Sequence, residues 1–121
     1  MAGMHKKVAF EFVLDALISL EPIVKPMFGC HAVYVNEKIF FILRNRDSET
    51  SDNGVWLATR PEFHESLRRE LPSMRSIKLF GGGETKWQNL PLEADDFEES
   101  VIKACEMVLD GDERIGKIPN T

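Results

Sequence analysis

The segment 27–43 constrains the fold of this chain more than any other stretch. Two largely apolar runs, 31–35 and 39–43, flank the short polar connection 36–38, and β-branched and aromatic runs around such a connection are typical of a β-hairpin. The second run contains no polar residue, so both of its faces need cover from other parts of the chain. The segment therefore predicts a strand at the centre of a sheet, with a layer packed on each side.

Hydrophobic periodicity divides the rest of the chain into three helices and three further strands. Apolar residues spaced three and four apart predict amphipathic helices over 6–20, 60–71 and 96–109. Shorter apolar runs predict strands over 55–58, 75–80 and 86–90. The resulting order is α-β-β-β-α-β-β-α, and the short turns between strands favour a mainly antiparallel sheet in an α+β domain.

Short polar motifs mark where two of these helices begin and where one ends. Thr59 with Glu62, and Asp95 with Glu98, have the three-residue spacing of a capping box. Gly111 follows the last helix and fits a C-terminal cap. These motifs predict helix starts just after Thr59 and Asp95.

Three connecting segments carry turn or loop signals. Pro22 and Pro26 predict an extended lead into the hairpin. Residues 44–53 form the longest predicted loop, where mobility is expected. The glycines at 81–83 predict a plain β-turn, because a phosphate-binding loop needs a helix N-terminus behind it and a strand is predicted here instead.

Length, composition and charge indicate one ordinary globular domain. The 121 residues are 43% hydrophobic and 29% charged, which predicts a single domain over 1–121 with 1–5 and 118–121 loosely held. No apolar run approaches the roughly 20 residues that cross a bilayer, and no signal-peptide pattern opens the chain. We therefore expect a cytoplasmic protein without a membrane partner.

The net charge of −5 is unevenly distributed along the chain. Residues 93–113 contain nine acidic side chains and one basic side chain, Lys103. This acidic segment is expected to form either a solubilising face or a partner-binding surface. The net negative charge argues against a dedicated nucleic-acid-binding domain, because such domains are basic as a rule.

Few residues in the sequence form a pattern that supports catalysis. Cys30 and Cys105 are expected to be buried, reduced thiols, and no cysteine or histidine pair has metal-ligand spacing. Cys30 and His31 are adjacent on a predicted strand, so their side chains point to opposite faces and do not form a thiolate–imidazole pair. We expect no catalytic residue, no metal and no cofactor.

Two motifs carry a resemblance to a known family. The run Lys-Pro-Met-Phe-Gly at 25–29, followed by Tyr-Val, a polar turn and an aromatic-rich strand over 34–42, resembles the TfoX N-terminal-domain-like family. The resemblance implies an α+β fold shared with YjbR-like proteins and secretion chaperones, folds that often pair as dimers. It also implies a regulatory role related to competence for DNA uptake in bacteria, without catalytic residues.

The sequence thus predicts a non-catalytic regulatory or protein-interaction module, with a protein partner or a second copy of the chain. The surface that we name for this role consists of aromatic residues near the hairpin: Phe28, Tyr34, Phe40 and Trp87. One alternative is a weak nucleic-acid-binding regulator that uses three basic residues: Arg75, Lys78 and Lys86. A second alternative is a small-ligand binder or enzyme, with a pocket near Cys30 and His31.

Overall fold

A six-stranded antiparallel sheet organises the computed structural model, which describes residues 8–79 and 85–119. The strands are β1 (Ile23–Met27), β2 (Cys30–Val35), β3 (Lys38–Arg44), β4 (Gly54–Leu57), β5 (Arg75–Ser76) and β6 (Gln88–Pro91). Their order across the sheet is β1-β2-β3-β4-β6-β5. The helices are α1 (Phe12–Ala16), α2 (Pro61–Glu70) and α3 (Phe97–Leu109), with 3₁₀ turns at Ile18–Leu20 and Thr50–Asp52. The predicted α+β class with an antiparallel sheet is confirmed.

Strand β3 lies in the interior of the sheet, as its apolar sequence predicts. It pairs antiparallel with β2 and β4. Because side chains alternate along a strand, Phe41 and Leu43 enter the main core, while Ile42 belongs to a second apolar cluster on the other face. Both faces of the strand are therefore apolar and buried, as predicted.

The main core lies between one face of the sheet and the three helices. Val13 of α1, Leu67 of α2 and Val101 of α3 have no exposed surface, and each such burial stabilises the fold by about 1.5–3 kcal/mol. The predicted core stripe of α3 is buried in full: Phe97, Val101, Ala104, Cys105 and Val108. Periodicity therefore identified the buried face of this helix correctly.

Gly111 ends α3 in the way that its position predicts. Its N–H donates to the carbonyl of Val108 at 3.0 Å, and the N–H of Asp112 donates to the carbonyl of Met107 at 2.9 Å. The φ angle of Gly111 is +78°. This pair of hydrogen bonds around a left-handed residue is a Schellman cap, where glycine avoids the penalty of a Cβ atom.

Neither predicted capping box forms. The Thr59 side chain is buried and donates to the carbonyl of Arg114 at 2.6 Å, so α2 begins at Pro61 without a side-chain cap. Helix α3 follows Asp96 and also lacks a side-chain cap. The Ser73 hydroxyl donates to the Asp96 carboxylate at 2.6 Å, and this hydrogen bond lowers the pKa of Asp96. Contacts between distant segments therefore replace the local ones.

Several predicted boundaries differ from the structure. The first helix is shorter than 6–20 and breaks into α1 and a 3₁₀ turn. The predicted extended lead is strand β1, where Pro26 is tolerated because β1 lies at the sheet edge. The predicted strand 75–80 shortens to β5, and 86–90 shifts to β6. The predicted glycine turn at 81–83, the loose residues 1–5 and the last two residues lie outside the described chain.

The loop predicted over 44–53 carries local structure of its own. It contains the 3₁₀ turn Thr50–Asp52, and Asp52 and Asn53 are buried.

Both cysteines are free and buried, as expected. Within residues 8–79 and 85–119, no helix combines the length and apolar character needed to span a bilayer.

Candidate functional site

The sheet face opposite the main core carries a second apolar cluster without help from α1, α2 or α3. Its buried members come from strands and connecting segments: Cys30, Ala32, Ile39, Ile42, Trp56, Ala58 and Ile77. Four half-buried side chains pack against them: Met27, Tyr34, Leu79 and Trp87. Because no helix contributes to this cluster, part of it remains open as a cleft.

The cleft has a volume of about 410 Å³, within the range of pockets that enclose small organic molecules. Its apolar wall consists of Met27, Phe28, Ile42, Trp56, Leu79 and Trp87. Polar residues from the end of β3 and the following loop form the rest of the lining together with Cys30: Arg44, Arg46, Ser48 and Glu49. The cleft thus combines an apolar body with a polar rim on one side.

Two tryptophans lie in contact in the apolar wall. Trp56 is 4% exposed, and its indole Nε1–H donates to the carbonyl of Asp52 at 2.9 Å. The rings of Trp56 and Trp87 lie 6.1 Å apart between centroids at an angle of 54°, a favourable separation for an aromatic pair. The hydrogen bond fixes the Trp56 ring, and the ring contact joins the two indoles into one aromatic surface.

The carboxylate of Asp52 fixes the chain segment beside this wall. The side chain is 1% exposed, and its two oxygens accept from the backbone N–H of Lys78 at 3.0 and 2.9 Å. The Arg75 guanidinium lies 3.3 Å away. Since Ile77 and Leu79 flank Lys78, the carboxylate positions two apolar side chains of the second cluster.

Arg44 is a buried cation at the edge of the cleft. It is 3% exposed, and its guanidinium donates to the Glu49 carbonyl and the Asn53 Oδ1 at 2.8 Å, and to the Ser48 carbonyl at 3.0 Å. All three acceptors are neutral. No carboxylate in 8–79 or 85–119 forms an ion pair with Arg44. Its charge is therefore stabilised by dipoles alone.

Arg46 places a second guanidinium at the same edge. Its Nη1 donates to the carbonyl of Phe28 at 2.9 Å, and its backbone N–H and C=O both bond to the Asn53 amide at 2.9 Å. The side chain lies over Gly29, where a Cβ atom would stand 2.8 Å from the Arg46 Cζ. Glycine at position 29 therefore makes room for this guanidinium.

Phe28 and Gly29 form the two-residue turn between β1 and β2, and both have positive φ angles, +52° and +76°. Positive φ at both positions is the mark of a type I′ hairpin turn. Phe28 is 80% exposed and lines the cleft. A bulky side chain at positive φ costs about 1–2 kcal/mol, so the fold holds an exposed aromatic ring at the cleft mouth under strain.

The Cys30 thiol lies in the cleft lining. Burial raises the pKa of Cys30, against the opposing effect of Arg44 and Arg46. Its sulfur lies 3.6 Å from the carbonyl of Phe28. His31, the next residue on β2, lines a second and more polar depression together with Cys30 and Arg46. Burial also raises the pKa of Cys105, to about 12.

The four aromatic residues predicted as an interaction surface do not form one patch. Phe28 and Trp87 line the same cleft. Tyr34 packs against the second cluster, with the Lys25 Nζ 4.8 Å from its ring centroid. Phe40 packs against the main core on the opposite face of the sheet. Val33 pairs with Phe41 and Tyr34 with Ile39, so Phe40 is the extra residue of a bulge in β3 and shares the face of Phe41.

The three basic residues predicted for nucleic-acid contact differ in their surroundings. Arg75 is engaged with the Asp52 carboxylate and with the carbonyls of Ser51 and Ser76. The side chains of Lys78 and Lys86 are exposed and lie on either side of the segment 80–84, which is not described. One of the three cations is therefore already paired within the fold.

Three site residues were not predicted from the sequence: Trp56, Arg44 and Arg46. Alternation along β3 and β4 could have found the first two, because Ile42 and Arg44 share a face and Ile42 pairs with Trp56. Arg46 lies beyond the strand, where no such pattern applies.

Comparison of the chain with protein-family models, with curated proteins and with solved structures finds no match.

Proposed function

We propose that this domain is a non-catalytic regulatory module that binds a small organic molecule with an aromatic or apolar body in the cleft. The observation that carries the proposal is the open apolar cleft of about 410 Å³, with Trp56 and Trp87 in its wall. An apolar pocket with a few convergent polar groups is the usual form of a small-molecule site.

The size of the cleft favours a small ligand over a protein partner. A stable protein interface buries about 800 Å² on each side, whereas a cleft of this volume encloses a compact molecule. The raised pKa of Cys30 supports binding rather than thiol chemistry. The resemblance of 25–29 and 34–42 to TfoX N-terminal-domain-like proteins, with the YjbR-like fold that it implies, supports a regulatory role for that binding.

Intrinsic tryptophan fluorescence tests this proposal directly. The chain contains two tryptophans, and both line the cleft, so a change in emission reports on that site. The neutral probe is 4-tert-butylbenzamide, excited at the red edge of tryptophan absorption, where the probe does not absorb. At ~0.4 kcal/mol per non-hydrogen atom, a probe of about 13 such atoms has an expected Kd of about 0.2 mM.

Two matched variants establish where the probe binds. Leu79→Arg places a bulky, charged side chain in the cleft and is expected to weaken binding at least tenfold. Leu92→Arg makes the same change at an exposed leucine that does not line the cleft, and the Kd should stay within twofold of the original. The proposed function is refuted if neither this probe nor the carboxylate of the same shape gives a saturable change in the emission of the unsubstituted protein at millimolar concentration.

A further inference from the structure

We infer that the cleft selects ligands bearing a carboxylate, and that Arg44 and Arg46 together form its anion site. This inference rests on the proposed function, since it names the class of molecule that the cleft binds. It follows from the position of two guanidinium groups at one edge of an apolar cavity. A carboxylate seated there would let the aromatic or apolar body of the same molecule lie against Trp56 and Trp87.

The first argument is the charge of Arg44. Burial of a cation is costly unless an opposite charge or strong hydrogen bonds compensate it. Its three hydrogen bonds to oxygen use both Nη1 hydrogens and one Nη2 hydrogen. The guanidinium also hydrogen-bonds to the Cys30 side chain, so none of its partners is a carboxylate, and Arg44 lines the cleft. An anion in the cleft would supply the missing opposite charge.

The second argument is the fixed position of Arg46. A flexible surface arginine loses side-chain entropy when it binds an anion, but this one is already held by Phe28 and accommodated by Gly29. Its remaining guanidinium N–H groups make no hydrogen bond within the described chain. A planar guanidinium with free donors fits a carboxylate through two parallel hydrogen bonds. Arg46 therefore presents two guanidinium N–H donors that are already positioned near the buried charge of Arg44.

The third argument is the charge balance of the cleft. The whole chain carries a net charge of −5, yet the described lining contains two arginines and one acidic residue, Glu49. The backbone carbonyl of Glu49 accepts a hydrogen bond from Arg44. Within the described part of the chain, its carboxylate makes no ion pair with Arg44 or Arg46. The cleft is thus locally positive on an acidic protein, which favours an anionic ligand.

A matched pair of probes tests the inference. The neutral probe 4-tert-butylbenzamide is compared with 4-tert-butylbenzoate, which has nearly the same shape and is ionised at neutral pH. Hydrogen bonds to a charged group contribute about 1.5–3 kcal/mol, so the benzoate is expected to bind at least ~10-fold tighter at low salt. The preference should shrink as salt is added, because Arg46 is exposed.

Variants then test whether Arg46 is responsible for the preference for benzoate over benzamide. Arg46→Gln is expected to reduce the benzoate-to-benzamide affinity ratio to about threefold or less, with little effect on benzamide binding. Arg69→Gln is the control, because Arg69 is an exposed arginine on α2 that pairs with Glu65 and does not line the cleft. It should leave the ratio unchanged. Arg44 is not substituted in this test, since its hydrogen bonds also hold the loop.

The outcomes separate the two proposals. Equal binding of both probes would overturn the carboxylate preference while the proposed function stands. Failure of both probes to bind would refute the proposed function itself. An unchanged benzoate-to-benzamide affinity ratio in Arg46→Gln would overturn the assignment of the anion site to Arg44 and Arg46. An equal fall of this ratio in Arg69→Gln would overturn it as well. Circular dichroism of each variant confirms that the fold is intact.

Discussion

Removal of the Asp52 carboxylate is expected to destabilise the fold and loosen the cleft wall together. The carboxylate is almost fully buried and accepts from the Lys78 backbone N–H with both oxygens. In Asp52→Ala this N–H loses a charge-assisted hydrogen bond worth about 1.5–3 kcal/mol. The ion pair with Arg75, whose side chain is 26% exposed, adds up to about 1 kcal/mol. The expected loss in the free energy of unfolding is therefore about 3 kcal/mol.

Urea unfolding followed by circular dichroism measures this loss. With a slope of about 1.5 kcal/mol per M, the midpoint should fall by about 2 M. Asp52→Asn keeps one carbonyl oxygen for Lys78 and should lose about half as much. Asp47→Ala, an exposed acidic residue of the same loop, is the control and should change stability by less than about 0.5 kcal/mol.

Two results would contradict this reasoning. A loss below about 1 kcal/mol in Asp52→Ala would show that the buried carboxylate does not hold the segment around Lys78. A loss in Arg75→Met as large as that in Asp52→Ala would show that the ion pair, not the backbone hydrogen bond, provides the stability. Because Ile77 and Leu79 adjoin Lys78, Asp52→Ala should also weaken benzamide binding in the tryptophan fluorescence assay.

Four further predictions follow from the β1–β2 turn, from the end of α3 and from the segment after it. Gly29→Ala forces a Cβ atom onto the Arg46 side chain at a φ of +76° and should lower both stability, by about 2 kcal/mol, and the preference for benzoate. Gly111→Ala, at a similar φ but in open space, should cost only about 1 kcal/mol of stability in urea unfolding and leave probe binding intact. Phe28→Asn should raise stability by about 0.5–1 kcal/mol, because asparagine tolerates positive φ, while weakening benzamide binding, and an unchanged affinity would exclude Phe28 from the site. Hydrogen bonds from Arg114 hold the pKa of Asp112 below its ordinary value of 3.8, so this carboxylate stabilises the fold above about pH 4 and the contribution is lost as the pH falls through the lowered pKa. Thermal unfolding of Arg114→Gln between neutral pH and pH 2 should therefore show a smaller acid-induced loss than the original protein shows, and an equal loss would contradict the assignment.

The candidate site was only partly predictable from the sequence. Phe28 and Trp87 were identified because large aromatic residues near a hairpin suggest a surface. Phe40, grouped with them, lies on the other face of the sheet, since the bulge in the β2–β3 pairing changes the alternation. Arg44 was assigned to a polar loop, yet its buried guanidinium organises that loop through the carbonyls of Ser48 and Glu49.

The central strand β3, the buried stripe of α3 and its Gly111 cap were determined by the sequence, because each depends on residues close to one another along the chain. Periodicity and turn chemistry are local properties, and they act whatever the distant segments do. Tertiary structure alone decided that 23–27 pairs as an edge strand, that Thr59 bonds to Arg114 rather than capping α2, and that one sheet face remains an open cleft. These features depend on which distant groups meet, and on buried polar groups finding partners wherever the fold places them.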